Sequence, residues 1–383
     1  MAVKVCINGQ MKKIDTTLHK PVIFLNGQKK VLDKAWTFIN GEKIQLWGKE
    51  GVQIDYIRAN GLLSGQNKIV AIGEDWAVVN SAGTYYDYVN RVDISNLSNP
   101  SLVQQVAWGT VTPNGYNGFR SSGDGWYFNA STSVGQTSSG NELNINPSTG
   151  VVSINRTYST TDINGAPFAG VNNSYFMFCS VETYYYTIGN RRIRMAYGSR
   201  FCFNNVQRYT IGTTSDSHYV TQPGYPVQIN AGDFLLKTTK GTYLANYSGI
   251  TQKTSTQLNL FMLDGDDVLC KDGDNVIKFL NKSSLAVSKT YTAASGYNVV
   301  FVGRNGTYYY FVEYKSDDAK LRVVKQSDMS LAFEESLPVD PFNDGVDFWA
   351  TCTTVPQITK SGYLGVSGSV TGNLRIVRFS ELL

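Results

Sequence analysis

The residues of this chain that could do chemistry are few and scattered. The sharpest acidic cluster is Asp264-Gly265-Asp266-Asp267, followed closely by Asp272-Gly273-Asp274-Asn275. Two carboxylate-rich turns so near each other could hold Ca²⁺, which takes several hard oxygen ligands; Asp264, Asp266, Asp272 and Asp274 are the candidates. Neither turn matches the full Asp-x-Asp-x-Asp-Gly loop ending in Glu, and Asp-Gly is also ordinary hairpin chemistry. No other cofactor is expected. The only histidines are His19 and His218, which excludes a His-rich metal site and leaves any His-dependent mechanism resting on one residue. Asp216-Ser217-His218 holds the letters of a triad, but neighbours in an extended chain point apart and a triad is defined by geometry. Glycoside hydrolysis needs two carboxylates facing across a cleft. Glu182, Asp233, Glu313, Asp344 and Asp347 are available, and nothing in their spacing pairs them. With no phosphate-cradling glycine loop and no nucleophile elbow, the sequence reads as that of a binding protein and not an enzyme.

Aromatic residues offer a different chemistry. Trp108, Tyr116, Trp126, Tyr219, Tyr225, Phe342 and Trp349 lie beside Gly, Pro, Ser and Asn, Asn117 among them, in segments that read as loops. A sugar presents apolar ring faces and hydroxyls, which suit an aromatic platform next to amide groups. Trp108, Tyr116, Trp126, Tyr219, Tyr225 and Trp349 are therefore the ligand-binding candidates, although size alone will bury about half of such aromatics in the core. Tyr184-Tyr185-Tyr186 with Arg191, Arg192 and Arg194 forms a second patch, of residue types favoured at interfaces, or else a solvated hairpin.

The elements that must position these residues are strands. The chain has 24 Tyr, 18 Phe and 36 Gly, and no long Ala/Leu/Glu/Lys windows at helical spacing. Aromatic and β-branched residues fit pleated, half-buried strands, while Gly and Asn serve the turns between them. Apolar residues make up 42% and charged residues 17% of the chain, so a large core can form and disorder is not expected. A net charge of +4 with no basic run longer than Arg191-Arg192 gives no footprint for nucleic acid. No stretch approaches the ~20 apolar residues of a membrane span, and the first residues lack the apolar core of a secretory signal. The five cysteines are odd in number and lack tight spacing, so they suggest neither a disulfide framework nor zinc. They read as small buried hydrophobes of a protein folded in a reducing compartment.

Two repeats organise the chain. In residues 1–51 an apolar run followed by Asn-Gly recurs three times, at Asn8-Gly9, Asn26-Gly27 and Asn40-Gly41. Asn-Gly between extended runs signals a hairpin, because a type I′ turn needs φ > 0 at both central residues. Three such hairpins have little core of their own, which makes them a candidate assembly module that packs on a partner, on the larger domain or on copies of itself. From residue 52 to 383 a longer period appears. Strands opening at Val92, Leu143, Val276 and Arg322 each run into a polar turn and a returning strand. Their spacing fits the roughly 40–50 residues of a four-stranded propeller blade, with two weaker copies expected between 165 and 257. Counted this way the domain is a β-propeller of seven blades, or six if the middle repeats merge; an elongated β-solenoid or a pair of sandwiches is the rival. The last unit lacks an outer strand, and the segment from Val52 to Ile57 is expected to supply it and close the ring.

The string from Lys34 to Gly48, ending in Leu46-Trp47-Gly48 and preceded by its two Asn-Gly relatives, resembles the starts of structural proteins of tailed bacteriophages. The stretch from Val92 to Pro100 resembles the turn of one β-propeller repeat family. The first covers about an eighth of the chain and the second a single blade. The resemblance implies a virion component assembled in the host cytoplasm, with other virion proteins and a host-surface glycan or protein as partners. On that reading Asn8, Gly9, Asn26, Gly27, Asn40, Gly41 and Trp47 attach the protein to the particle, and self-association through the hairpins is open.

Overall fold

The computed structural model describes side chains in residues 51–63, 69–81, 88–106, 144–154, 251–345, 347–354, 362–368 and 372–383 and at several positions in 227–244. Elsewhere it describes the backbone of the strands named below. The chain divides into two compact units, residues 1–52 with Leu383, and residues 53–382.

The first unit holds three antiparallel hairpins. Val3–Ile7 pairs with Gln10–Ile14, Val22–Leu25 with Gln28–Val31, and Ala35–Ile39 with Glu42–Trp47. The last pair of each, Ile7 with Gln10, Leu25 with Gln28 and Ile39 with Glu42, brackets one of the three Asn-Gly dipeptides. Those dipeptides themselves and the side chain of Trp47 lie outside the described residues.

The second unit is a β-propeller. Among the described residues it holds seven antiparallel sheets, six of four strands and one of three; in all but the last, the strands follow sequence order from the inside out. Blade 1 runs Asn67–Ile72, Trp76–Ala82, Tyr86–Asp93 and Ser101–Thr110; blade 2 runs Trp126–Ser131, Ser138–Ile145 and Val152–Thr160. Blade 3 comprises Phe168–Val171, Phe176–Ile188, Arg191–Phe203 and Gln207–Ile211, and blade 4 Val227–Asn230, Asp233–Thr238, Gly241–Asn246 and Gly249–Thr254. Blade 5 comprises Asn259–Asp264, Asp267–Lys271, Val276–Asn281 and Val287–Thr292, and blade 6 Asn298–Asn305, Tyr308–Lys315, Asp318–Lys325 and Leu331–Leu337. In blade 7, Thr353–Thr354, Leu364–Ser367 and Asn373–Ser380 are completed by Gln53–Asn60 from the other end of the chain. That strand pairs along its full length, from Gln53 opposite Ser380 to Asn60 opposite Asn373.

Among the described residues, core lies between neighbouring blades. Between blades 7 and 1, Ile57, Leu374 and Ile376 pack on Ile69, Ile72, Val79 and Val92; between blades 1 and 2, Trp76, Val78 and Val89 pack on Ile145 and Val152. Between blades 5 and 6 the filling is aromatic, with Phe279 and Tyr291 against Phe301, Tyr309 and Phe311. Tyr291 and Phe311 stack with centroids 3.8 Å apart. Burial of one such side chain contributes about 1.5–3 kcal/mol, and sharing it between neighbours makes blades mutually dependent.

The turns from third to outer strand repeat in atomic detail. In blades 2, 5 and 6 the amides of Gly150, Leu285 and Met329 donate to the carbonyls of Asn146, Asn281 and Lys325. These three residues all sit in the left-handed region, at φ 68, 59 and 60°. The side chains of Asn146 and Asn281 each accept two further amides within their turns.

Antiparallel order gives the ring two unlike faces. First-to-second and third-to-outer turns lie on one face, called here the short-turn face; second-to-third turns and the connections between blades lie on the other. The closing strand begins on the short-turn face, where Gln53 meets Ser380. The only helix among the described residues, Phe348–Thr351, lies in the connection from blade 6 to blade 7; none there is long and apolar enough to cross a membrane.

Candidate functional site

The four aspartates considered for Ca²⁺ do not come together. Asp264 and Asp266 flank the turn that opens the strand Asp267–Lys271, whereas Asp272 and Asp274 follow its far end. A five-residue strand at ~3.3 Å per residue holds the two turns on opposite faces of the ring. Each carboxylate already has a cation: Asp264 with Arg304 at 2.7 Å, Asp266 with Lys282 at 2.9 Å, Asp274 with Lys271 at 3.5 Å, and Asp272 with Lys278. Among the described residues no three His, Cys, Asp or Glu side chains are grouped as a metal would need. The Asp264 side chain is 6% exposed against 42% for its partner Arg304, and burial pushes its carboxyl above the usual range while Arg304 pulls it back.

Trp349 is not a loop platform. The segment from Pro338 onward folds inward: Asp340 accepts the amides of Phe342 at 3.2 Å and Gly345 at 2.8 Å, and Asp347 caps the short helix by accepting the amide of Ala350. This packs Phe342, Phe348 and Trp349 edge to face, with Trp349 buried and its indole N–H donating to the Pro338 carbonyl at 2.9 Å. Trp108 falls in the outer strand of blade 1 and Trp126 opens the first described strand of blade 2, opposite Asn144. Their side chains, and Tyr116, Tyr219 and Tyr225 altogether, lie outside the described residues. Asn117 and Asp216-Ser217-His218 also lie outside.

The carboxylates weighed for hydrolysis are engaged in structure wherever their contacts are described. Glu313 is buried and accepts the Tyr291 hydroxyl at 2.6 Å, with the Arg322 Nε at 3.7 Å. Asp344 takes the Arg375 guanidinium at 2.8 Å, and Asp347 caps the helix. Cys270 and Cys352 are free thiols, and burial pushes both above the usual thiol range, Cys352 to about 12.

The face opposite the short turns carries a cluster that loop-gazing in the sequence passes over. Tyr297, in the connection from blade 5 to blade 6, has the ammonium groups of Lys315 and Lys320 at 5.1 and 5.6 Å from its ring centroid. Its hydroxyl donates to Asp318 Oδ2 at 2.5 Å, which holds the Asp318 carboxyl below and the tyrosine above their usual ranges. Lys315 and Lys320 also reach Asp317 and Asp318. Cationic, anionic and aromatic groups within one turn of one another can hydrogen-bond and stack on a polar ligand; they include no nucleophile with an adjacent base. The signal available in sequence was the pair Lys315 and Lys320 around Asp317-Asp318, a polar turn with no loop aromatic of its own.

Comparison with known proteins adds architecture. No family model matches the sequence and no curated protein matches it. Similarity lies in the fold alone. The β-propeller domain of Myceliophteria thermophila Cps50 (Swd1) is 13% identical, with a TM-score of 0.45 over 85% of this chain and 99% of that one. The WD40 β-propeller domain of Doa1 is 11% identical, with a TM-score of 0.44 over 86% of this chain and 97% of that one. The dihydro-heme d1 dehydrogenase NirN is 14% identical, with a TM-score of 0.40 over 69% of this chain and 55% of that one.

Proposed function

We propose that this chain is a tail-associated virion protein of a bacteriophage, a binding protein and not an enzyme. In this reading the ring binds a ligand on the host surface, a glycan, while the N-terminal hairpins attach it to other virion proteins assembled in the host cytoplasm. The observation that carries the reading is the two-part build, in which a compact unit of three hairpins runs directly into the closing strand of a seven-bladed ring. A unit of paired hairpins suits an attachment role, and a closed ring of blades suits recognition.

A purely structural hub is the second reading. Exposed aliphatics among the described residues favour it: Leu102, Val103, Val151, Ile154, Val287 and Leu331, all in the first three residues of an outer strand or just before it. The deciding measurement is binding of labelled residues 53–383 to a panel of candidate host bacteria, with and without prior stripping of surface glycan. Saturable binding that stripping removes supports the receptor-binding reading. Absence of binding to every host, together with capture of the chain by purified virion proteins, overturns it in favour of the hub.

A further inference from the structure

We propose that the closing strand Gln53–Asn60 is a load-bearing tie, placed so that tension arriving through the N-terminal unit is carried along the strand and shared by the whole seam of blade 7. The strand is entered at the short-turn face and traverses blade 7 to the opposite face before the chain passes into blade 1. Ladder hydrogen bonds lie perpendicular to an antiparallel strand. A pull along the strand therefore loads all eight registered pairs, Gln53–Ser380 to Asn60–Asn373, at once. A pull across it would load them one after another.

Side chains pin the same strand at both ends. Near the entry, Asp55 Oδ2 accepts from Arg378 Nη2 at 2.7 Å and Nε at 3.0 Å, and the same guanidinium donates to the carbonyls of Gly73 and Glu74 in blade 1. At the far end Arg375 donates to Asn60 at 3.1 Å and to Asp344 at 2.8 Å, while Arg58 reaches the Phe342 carbonyl at 2.6 Å. Arg375 and Arg378 are both buried, where an ion pair that loses one partner is strongly destabilised. The strand is thus fixed sideways to blade 1 and to the connection from blade 6, and lengthwise by its own covalent continuation. Only the direction of the natural load rests on the proposed function; the mechanics belong to the purified chain.

The test is single-molecule stretching of the full chain, held at its N-terminus and at a ligation tag inserted between Ser316 and Asp317, exposed residues on the opposite face. Forced opening reports the unfolding rate under load. The expected first rupture of the ring opens the seam of blades 7 and 1, and Asp55→Asn moves it to lower force. Asn60→Ala, at an exposed position, moves it the same way and serves should Asp55→Asn fail to fold. Lys282→Gln, which removes the ion pair with the exposed Asp266 in blade 5, leaves it unchanged. A first rupture within blades 4 to 6, or one whose force neither seam variant changes, overturns the proposal. Loss of host binding in the cell assay would leave this result standing, and the reverse holds too.

Discussion

At the first turn of blade 5 a buried Asp264 carboxylate faces Arg304, and in the connection after blade 6 a half-buried Asp340 carboxylate gathers backbone amides. The two titrate with opposite consequences. Burial raises the Asp264 carboxyl above its unfolded value of about 3.9. The native state then holds this proton more tightly, so the stabilisation is complete below the unfolded pKa and is lost as pH rises through the folded one. Asp340 is held low by the amides of Gly345, Asp344, Phe342 and Asn343, so its contribution is present above the unfolded pKa and lost on acidification. We predict that Asp264→Asn, which cannot ionise, gains stability relative to the unsubstituted chain as pH rises through that window. Urea midpoints taken across acid to neutral pH check this, and parallel curves for the two proteins would refute it. At this scale the sequence was a poor guide. The letters Asp-Gly-Asp hide the strand that separates one acidic turn from the other, and a Trp among Pro, Asp and Asn looks exposed until Asp340 and Asp347 are seen to fold its segment inward.

The turns from third to outer strand were the most legible elements, because Asn and Ser state their hydrogen-bonding role locally. Their left-handed residue is Leu285 or Met329 where the side chain joins a neighbouring apolar cluster, and Gly150 where it cannot. A Cβ on Gly150 would lie 2.4 Å from the Trp76 ring of blade 1. Gly150→Ala therefore combines a disfavoured φ with overpacking, and should cost at least the ~1–3 kcal/mol of overpacking alone. Chemical denaturation measures it, and a loss under half a kilocalorie would show that the indole yields freely. Blade 3 was misread for an equally local reason. In sequence Arg191–Met195 and Arg200–Asn204 look like two separate strands, with Gly198 in the gap between them, yet one strand runs Arg191–Phe203. Its partner Phe176–Ile188 pairs Val181 with Ser199 and Thr183 with Ala196, so the glycine falls at a bulge within a continuous ladder.

Seven blades and closure by the first strand of the ring were both readable, since a missing outer strand at one end of the repeat and a spare one at the other are visible without coordinates. What the repeat does not state is which blades exchange aromatic filling and which use ion pairs, because those partners are distant in sequence. Residues 53–382 form a compact unit of their own, and we predict that a chain beginning at Gln53 keeps the strand signature in far-ultraviolet circular dichroism and a single cooperative melt. Broad or split melting would show that the ring needs residues 1–52. Ring closure also has a consequence in time. The strand Gln53–Asn60 is made before every blade of the ring and its partner Asn373–Ser380 after six of them, so at ~5–20 residues per second the ribosome leaves it without a ladder for on the order of half a minute. A message broken before codon 373 yields a chain whose seam never forms and whose strand edge and apolar Ile57 stay open to quality control. Closure thus works as a proofreading step on translation: only chains that have reached the far end of the ring can hide its beginning.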